Sequence, residues 1–191
     1  DDAVRSIFGE IISSARGAEA PVRVAALGPR GTFSEQAAHK VFGRQITLLE
    51  GANIREVFRL TESGDAQFGV VPVENSTEGG VSATLDLLME TTLQVCNEVE
   101  LRVTHCLLAS ENSPAPREIA GHEQALAQCR NWLATHYAGV PLFPKSSTAE
   151  AARAAADDSE VMAIASSEAA TLYGLEVRAR DIGDVPGNTT R

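Results

Sequence analysis

Three segments of the sequence carry small polar residues where a predicted strand gives way to a predicted helix. They are Gly28-Pro29-Arg30-Gly31-Thr32-Phe33-Ser34-Glu35, Glu74-Asn75-Ser76-Thr77 with Gly79 and Gly80 behind it, and Ser146-Ser147-Thr148 before Ala149-Glu150. At the carboxyl ends of strands in open α/β sheets, ligands bind in crevices, and helix N–H groups hold anions without lysine or arginine. Hydroxyls, amides and backbone N–H groups in this pattern predict a neutral cradle for a small anion.

Each segment also has a simpler interpretation, which is helix capping. A single Gly or Ser turn before a helix is more often a cap than a binding site, and Ser147 with Glu150 fits a capping box. The segment Glu74-Asn75-Ser76-Thr77 is harder to explain in this way, because a cap needs only one polar side chain. This second segment is therefore the stronger candidate for a ligand site.

Patterns for several other kinds of site are missing from the sequence. The run Gly28–Gly31 fits neither a dinucleotide-binding nor an ATP-binding glycine motif. Cys96, Cys106 and Cys129 are odd in number and form no C-x-x-C pair, which predicts reduced thiols. The 4 histidines show no metal-ligand spacing, and most of them are expected at the surface or lightly buried. We therefore expect no cofactor and no metal.

The charge balance narrows the class of partner. The 191 residues include 16 Lys and Arg against 26 Asp and Glu, which gives a formal net charge of -10. Nucleic acids and anionic membranes bind basic surfaces, so we expect neither of them as a partner. A hydrophobic content of 43% is typical of a globular protein. Neither an export signal nor an apolar run of the ~18 residues that span a bilayer is found, which predicts a cytoplasmic protein with a small-molecule ligand.

Alternating strand and helix patterns predict an α/β architecture with largely parallel sheets. The predicted strands are Val22–Leu27, Ile46–Leu49, Gly69–Val73, Val140–Phe143, Val161–Ala165 and Val177–Ile182, and an extended region runs from Leu93 to Ala109. Helices are expected between them, including one over Glu123–Ala134 and one that begins at Ser147. Two such halves, joined by the extended region, indicate two lobes with a cleft between them.

The first twenty residues stand apart from this pattern. Val4, Ile7, Phe8, Ile11 and Ile12 recur at helical spacing, which predicts an N-terminal helix, and a linker follows it.

Four motifs in a fixed order resemble the prephenate dehydratase family. They are Gly28-Pro29-x-Gly31-Thr32-x-Ser34-Glu35, Pro72-Val73-Glu74-Asn75-Ser76-x-x-Gly79-x-Val81, Gln124-Ala125-Leu126-Ala127-Gln128-Cys129 and Asn188-Thr189-Thr190-Arg191. The resemblance covers residues 22–191. Residues 1–20 resemble the end of the last helix of the chorismate mutase that precedes the dehydratase in bifunctional bacterial proteins. An amphipathic helix that packs on the body of the protein is the alternative for this segment.

The resemblance implies a two-lobed fold like that of type II periplasmic binding proteins, each lobe a mixed or parallel sheet with flanking helices. It places the dehydratase domain at residues 21–191, with lobe 1 at 21–102 plus 182–191 and lobe 2 at 103–181. The implied reaction is the decarboxylating dehydration of prephenate to phenylpyruvate in phenylalanine biosynthesis, by a carbon–oxygen lyase. Aromatisation of the ring drives this reaction, so it requires no redox cofactor.

Site residues follow from these motifs and from the polar segments described above. The resemblance implies that Thr190 donates a hydrogen bond or a proton to the leaving hydroxyl and that Asn75 and Gln128 share the catalytic site. The implied substrate-binding residues are Thr32, Ser34, Glu74, Ser76, Ser147, Thr148 and Arg191. A threonine pKa lies far above 7, so Thr190 can assist only through a concerted transfer or a supporting network.

The sequence departs from the family pattern in two places. Gly121 stands where the family commonly has Ser, so one polar substrate contact is expected to be either missing or supplied by water. Gly121→Ser is expected to preserve or improve activity if its hydroxyl reaches the substrate. The sequence ends at Arg191, which leaves no room for the regulatory ACT domain that usually follows in the family.

Two alternatives to the implied function stay open. Arogenate is the alternative substrate, and a non-catalytic anion-binding fragment is the alternative function. A homodimer is a further expectation from the family pattern.

Overall fold

A computed structural model describes residues 21–191, and the helix expected within residues 1–20 lies outside the described residues. The described chain divides into two compact units. The first contains the described residues through Gly28, together with Phe33–Leu101 and Thr189–Arg191, and the second contains Pro29–Thr32 and Arg102–Asn188. Residues 182–188, which the sequence placed in the first lobe, belong to the second unit, because Ile182 and Asp184 donate backbone hydrogen bonds to His105 and Gln128 there.

The first unit is built on a three-stranded parallel sheet in the order β2-β1-β3. Its strands are β1 (Val22–Leu27), β2 (Ile46–Gly51) and β3 (Phe68–Val70), with helices α1 (Phe33–Phe42) and α2 (Ile54–Glu62) between them. The centre of β1 is completely buried, as expected for a parallel strand covered on both faces. Asn53 caps α2 as predicted, because its side-chain oxygen accepts a hydrogen bond from the Glu56 N–H at 3.0 Å.

A smaller antiparallel sheet in the first unit holds the second polar segment. The strands β4 (Glu74–Asn75) and β5 (Gly79–Gly80) pair with each other, and β4 also pairs with β12 (Thr189–Thr190). Helix α3 (Ser82–Glu90) follows β5. The sequence predicted one strand through Val73, but β3 ends at Val70, two residues before Pro72, which cannot donate to a strand ladder.

The second unit contains a five-stranded mixed sheet in the order β11-β7-β10-β8-β9. Its strands are β7 (Cys106–Ala109), β8 (Glu118–His122), β9 (Leu142–Lys145), β10 (Val161–Ala165) and β11 (Glu176–Ala179). The short strand β6 (Leu101–Arg102) precedes them in the chain and is not part of this sheet; Leu101 belongs to the first unit and Arg102 to the second. The strands β8, β9 and β10 run parallel, whereas β7 is antiparallel to both β10 and β11. The predicted α/β class is confirmed, and the parallel arrangement holds fully only in the first unit's main sheet.

Helices of the second unit pack on this sheet through small residues. They are α4 (Glu123–Gln128), α5 (Arg130–His136), α6 (Thr148–Asp157) and α7 (Ser167–Tyr173). In α6, Ala151, Ala152 and Ala155 are fully buried, so this helix packs closely against β10 and β8. The single helix predicted over Glu123–Ala134 is wrong in one respect, since the chain leaves helical geometry at Cys129 and separates α4 from α5.

Among residues 21–191, no helix is both long and apolar enough to cross a bilayer.

Candidate active site

Asn75 and Thr190 lie directly opposite each other on β4 and β12 of the first unit. The Asn75 side-chain nitrogen, Nδ2, donates a hydrogen bond to Thr190 Oγ1 at 2.8 Å. Both side chains are half-buried, so the pair is partly shielded from water and still accessible. Strand pairing thus joins two of the three predicted catalytic residues, which are 115 positions apart in the chain.

The orientation of the Asn75 amide is fixed by the turn that follows β4. Its Oδ1 accepts hydrogen bonds from the backbone N–H groups of Thr77 at 3.0 Å and Glu78 at 3.2 Å. A backbone N–H can only donate, so the amide oxygen must face this turn and the amide nitrogen must face Thr190. Two neighbours in sequence therefore decide which end of Asn75 meets the threonine hydroxyl.

Backbone hydrogen bonds hold the two strands in this register. The Ser76 N–H donates to the Thr189 carbonyl at 2.9 Å, and the Thr189 N–H donates to Ser76 Oγ at 3.0 Å. At the other end of the pair, the Arg191 N–H donates to the Glu74 carbonyl at 2.8 Å. The backbone thus positions Glu74, Ser76 and Arg191 beside the Asn75–Thr190 pair, and all three residues are exposed.

This arrangement suits Thr190 as a hydrogen-bond donor to a reacting group. A hydroxyl has one proton and two lone pairs, and the Asn75 N–H occupies a lone pair of Thr190 Oγ1. The hydroxyl proton is therefore not used in the bond to Asn75. If that proton were donated, the Asn75 N–H would stabilise the negative charge that develops on Oγ1, which is the kind of supporting network that a threonine requires.

Gln128 lies at the end of α4 in the second unit and has its own set of partners. Its Oε1 accepts hydrogen bonds from His105 Nε2 at 2.7 Å and from Asn188 Nδ2 at 3.1 Å. His105 is 5% exposed and is therefore an exception to the expectation that most histidines lie at the surface or are lightly buried. Burial lowers the His105 pKa, and the hydrogen bond to Gln128 partly opposes this shift. His105 is therefore neutral near pH 7.

We call residues 182–188 the strap, because their backbone donates hydrogen bonds to the backbone carbonyls of Gln128 and His105. The Asp184 N–H donates to the Gln128 carbonyl at 2.7 Å, and the Ile182 N–H donates to the His105 carbonyl at 3.0 Å. The Asp184 carboxylate also accepts hydrogen bonds from the Asn131 and Trp132 N–H groups, at 2.9 and 3.1 Å, in the first turn of α5. The strap thereby fixes α5 and Gln128 to the residues that lead into β12.

Cys129, next to Gln128, is poorly suited to act as a nucleophile. Its side chain is fully buried, and burial raises the pKa of its thiol to about 12. A thiolate is the reactive form of cysteine, and very little of it exists at neutral pH with such a pKa.

The third polar segment forms a helix cap. Ser147 Oγ accepts a hydrogen bond from the Glu150 N–H at 3.0 Å, as the capping-box prediction requires. The Glu150 carboxylate accepts a hydrogen bond from the Ser146 N–H at 2.9 Å instead of returning to Ser147, and the hydrogen bonds from Ser146 lower the Glu150 pKa. Thr148 is the first residue of α6 and is half-buried. Ser147 thus has a structural partner in addition to its predicted role.

The first polar segment is divided between the units. Ser34 lies in the first turn of α1 in the first unit, whereas Thr32 belongs to the second unit and is 8% exposed. Gly31 has a φ of 90°, and a Cβ at this position would lie 3.2 Å from both Leu172 and Tyr173 of α7. Its glycine is therefore required for the turn and for close packing on α7.

At Gly121, the geometry argues against a serine hydroxyl that reaches a ligand, which is the condition for preserved or improved activity. This residue is buried in β8, and an added Cβ would lie 3.0 Å from two atoms of Leu126 and 3.4 Å from Ile164. The side chain of a serine would therefore point into the apolar core of the second unit.

Sequence reasoning missed His105 and Asp184, and it included Asn188 only as part of a motif. A histidine at the entrance of the apolar run Cys106–Ala109 was the available signal for His105, since a buried histidine needs a polar partner. Nothing near Asp184 in the sequence indicates that it caps α5.

Within the described residues, no group of three or more His, Cys, Asp or Glu side chains could hold a metal ion.

Fold and site together define an α/β protein of two compact units with hydroxyl–amide sites built on strand ends and helix ends. The prephenate dehydratase family model matches residues 24–191. The chain belongs to the prephenate dehydratase family.

Individual relatives agree with this assignment. The bifunctional chorismate mutase/prephenate dehydratase of Stutzerimonas stutzeri is 49% identical over 187 residues, which are 97% of this chain and 51% of that protein. The crystal structure of prephenate dehydratase from Arthrobacter aurescens, in complex with L-Phe, is 35% identical with a TM-score of 0.80, over 88% of this chain and 59% of that one. GqqA, described as a quorum-quenching acylase, is 31% identical with a TM-score of 0.77, over 88% and 61%. The chain spans about half the length of the bifunctional relatives it matches.

Proposed function

We propose that this chain catalyses the conversion of prephenate to phenylpyruvate, as a lyase of phenylalanine biosynthesis. The observation that carries the proposal is the Asn75–Thr190 hydrogen bond of 2.8 Å, because it supplies the supported hydroxyl donor that the reaction needs. Membership of the prephenate dehydratase family supports the choice of substrate.

The reaction breaks two bonds of the prephenate ring. The bond from the ring to its carboxylate breaks and releases carbon dioxide, and its electron pair enters the ring. The carbon–oxygen bond on the opposite side of the ring breaks, and the leaving oxygen takes one proton to form water. Prephenate dianion plus one proton thus gives phenylpyruvate anion, carbon dioxide and water, and the ring becomes aromatic.

In this proposal, Thr190 donates its hydroxyl proton, or a strong hydrogen bond, to the leaving oxygen. Asn75 stabilises the charge left on Thr190 Oγ1 through the N–H that already contacts it. These interactions strengthen as the carbon–oxygen bond breaks, and only interactions that are stronger in the transition state accelerate a reaction. A solvent water molecule returns the proton to Thr190 after the product leaves.

The remaining predicted site residues are proposed as binding residues. Gln128 donates from its amide to an oxygen of the substrate. Glu74 and Ser76, which flank Asn75 in the chain, and Arg191, which follows Thr190, are exposed and are proposed as substrate contacts from the first unit. Arg191 is the cation among them, and it is suited to a carboxylate of the prephenate dianion. Thr32 and Ser34 stay in the proposed site on the strength of the family motifs, and Ser147 and Thr148 stay in it as members of the third polar segment.

Incubation of the purified chain with prephenate or with arogenate tests the proposal. Phenylpyruvate and phenylalanine are quantified separately, because prephenate yields the first and arogenate the second. We expect phenylpyruvate at a rate that is proportional to the protein concentration and larger than the phenylalanine rate at equal substrate concentration. Faster phenylalanine formation would indicate arogenate dehydratase. Prephenate binding without turnover of either substrate would indicate an anion-binding fragment.

Similarity to GqqA does not by itself favour an acylase. Acyl transfer requires an activated nucleophile, and the pKa of Cys129, the cysteine of the motif that contains Gln128, is raised to about 12. The hydroxyl of Thr190 is paired with an amide and not with a general base.

For the longer protein, we propose a bifunctional arrangement. Relatives named chorismate mutase/prephenate dehydratase align with 100% of this chain, so residues 1–20 are included in the match. This supports the expectation that residues 1–20 continue from a mutase domain, and an ACT domain and a homodimer remain further predictions for that protein. Size-exclusion chromatography with light scattering on this chain measures the oligomeric state directly.

A further inference from the structure

Gln128 Oε1 receives two hydrogen-bond donors from distant parts of the chain. His105 is 23 residues before Gln128, and Asn188 is 60 residues after it. Their nitrogens lie 2.7 and 3.1 Å from the same oxygen, which therefore has a donor for each of its two lone pairs.

We infer that His105 and Asn188 are positioning residues, which set the rotation of the Gln128 amide so that its N–H group is directed to the substrate. The inference rests on the proposed function, because it concerns how Gln128 meets prephenate. Neither His105 nor Asn188 is assigned a contact with the substrate.

The direction of these hydrogen bonds follows from chemistry. His105 is buried and neutral, so its ring carries one N–H, and a hydrogen bond to a carbonyl oxygen requires that N–H to be on Nε2. Asn188 directs Nδ2, its donor end, at the same oxygen. A half-turn of the Gln128 amide would set its own N–H group against the N–H of Asn188 and would require the other tautomer of His105. The observed rotation instead gives both donors an acceptor.

Backbone contacts hold the two donors in place. Ile182 and Asp184 of the strap donate to the carbonyls of His105 and Gln128, and the strap ends at Asn188. The Val103 N–H donates to the Asn188 carbonyl at 2.8 Å, so the chain just before His105 is fixed to Asn188 as well. The three side chains are therefore oriented by one continuous set of contacts within the second unit.

A purely structural role for His105 would have a different consequence. Loss of a buried hydrogen bond would then lower thermal stability and leave the kinetics of the folded fraction unchanged. A positioning role instead requires that the effect of His105 on catalysis disappear when Gln128 is absent, because His105 acts only through that residue.

A double-mutant cycle separates these roles. The chains are wild type, His105→Leu, Gln128→Met and the double variant, and kcat and KM for prephenate are measured on protein whose folding is checked by circular dichroism. We expect His105→Leu to lower kcat/KM by ~10–100-fold in the wild-type background, a typical loss for a misplaced contact, and by less than about 2-fold in the Gln128→Met background.

Two further variants sharpen the cycle. His105→Gln keeps an N–H donor at a similar reach and should restore most of the activity that His105→Leu loses. Asn188→Asp keeps the side-chain size but replaces the donor by an acceptor, so it should lower kcat/KM by ~10-fold or more even if His105→Leu does not fold.

The results distinguish this inference from the proposed function. Equal losses from His105→Leu in both backgrounds, or unchanged kcat/KM in the folded His105 and Asn188 variants, would overturn the positioning role alone. Absence of prephenate turnover by the wild-type chain would overturn the proposed function.

Discussion

The two amide side chains proposed for the site, Asn75 and Gln128, have their oxygens held in different ways. Asn75 Oδ1 is held by backbone N–H groups two and three residues later in the chain. Gln128 Oε1 is held by side chains that are 23 and 60 residues away. Both arrangements fix which end of an amide is the donor, but one is local and the other depends on the fold of the second unit.

This difference determines how each amide responds to substitution. The turn after β4 uses backbone donors, which every residue except proline supplies, so few substitutions at Thr77 or Glu78 disturb Asn75. Gln128 instead depends on side chains and on the strap, so single changes far from it in sequence can turn its amide. We therefore expect the first unit's site to be sensitive mainly at the reacting residues and the second unit's site to be sensitive also at their supports.

The largest expected effect is at Thr190, the proposed reacting residue of the Asn75–Thr190 pair. Thr190→Ala removes the hydroxyl donor and should lower kcat by ~10²–10⁴-fold with little change in folding, because a positioned acid contributes about this much. Thr190→Ser keeps the hydroxyl and is the matched control, with activity well above that of the alanine variant. A rise in KM at constant kcat would show that Thr190 only binds substrate.

The next effect concerns the amide that supports Thr190. Asn75→Asp keeps an oxygen for the Thr77 and Glu78 N–H groups but removes the N–H that faces Thr190 Oγ1. We expect kcat to fall by ~10–100-fold while thermal stability changes little, because the turn is preserved. If kcat were unchanged and the melting temperature fell, the amide would be a structural contact and not part of the donor.

At Gly121, the expected effect is on stability. Gly121→Ser places a Cβ 3.0 Å from Leu126 in the core of the second unit and should lower the free energy of unfolding by about 1–3 kcal/mol. Urea unfolding measures this directly. In a Leu126→Ala background, the same substitution should cost less, since the obstructing side chain is gone. An equal cost in both backgrounds would show that backbone geometry, and not packing, requires the glycine.

A smaller effect follows from the buried histidine. Burial lowers the His105 pKa in the folded state below its ordinary value of 6.5, so the unfolded chain binds a proton more readily. The stability contributed by neutral His105 is complete above about pH 6.5 and decreases as the pH falls toward the folded-state pKa. Urea unfolding between about pH 7.5 and pH 5 should show a steeper loss for wild type than for His105→Gln. Parallel curves would contradict a lowered His105 pKa.

The same contrast explains how far the sequence predicts the structure. Local signals were sufficient for β1, for the Asn53 cap of α2, for β10 and for the Ser147 cap of α6, because propensity, burial pattern and capping act over a few residues. The two-residue pairing of β4 with β12 was not predicted, since its partners are far apart in the chain and neither strand has a periodic pattern.

At the candidate site, the motifs named Asn75, Gln128 and Thr190 but not how they are held. Asn188 is explained only when the strap brings it to Gln128, and Asp184 only when its carboxylate reaches α5. Gly121 is explained only by the position of Leu126 in the folded second unit. These contacts depend on tertiary packing, which a single sequence does not encode in any local pattern.

Turnover of prephenate by chelator-treated wild-type protein tests most directly whether the chain's own side chains and backbone donors are sufficient for the reaction. The Asn75–Thr190 pair requires only the chain's own groups, so phenylpyruvate should form at the same rate before and after removal of metal ions. Thr190→Ala, measured in parallel, reports the background rate. A folded, chelator-treated protein that is inactive and regains activity with a divalent cation would contradict the proposed donor.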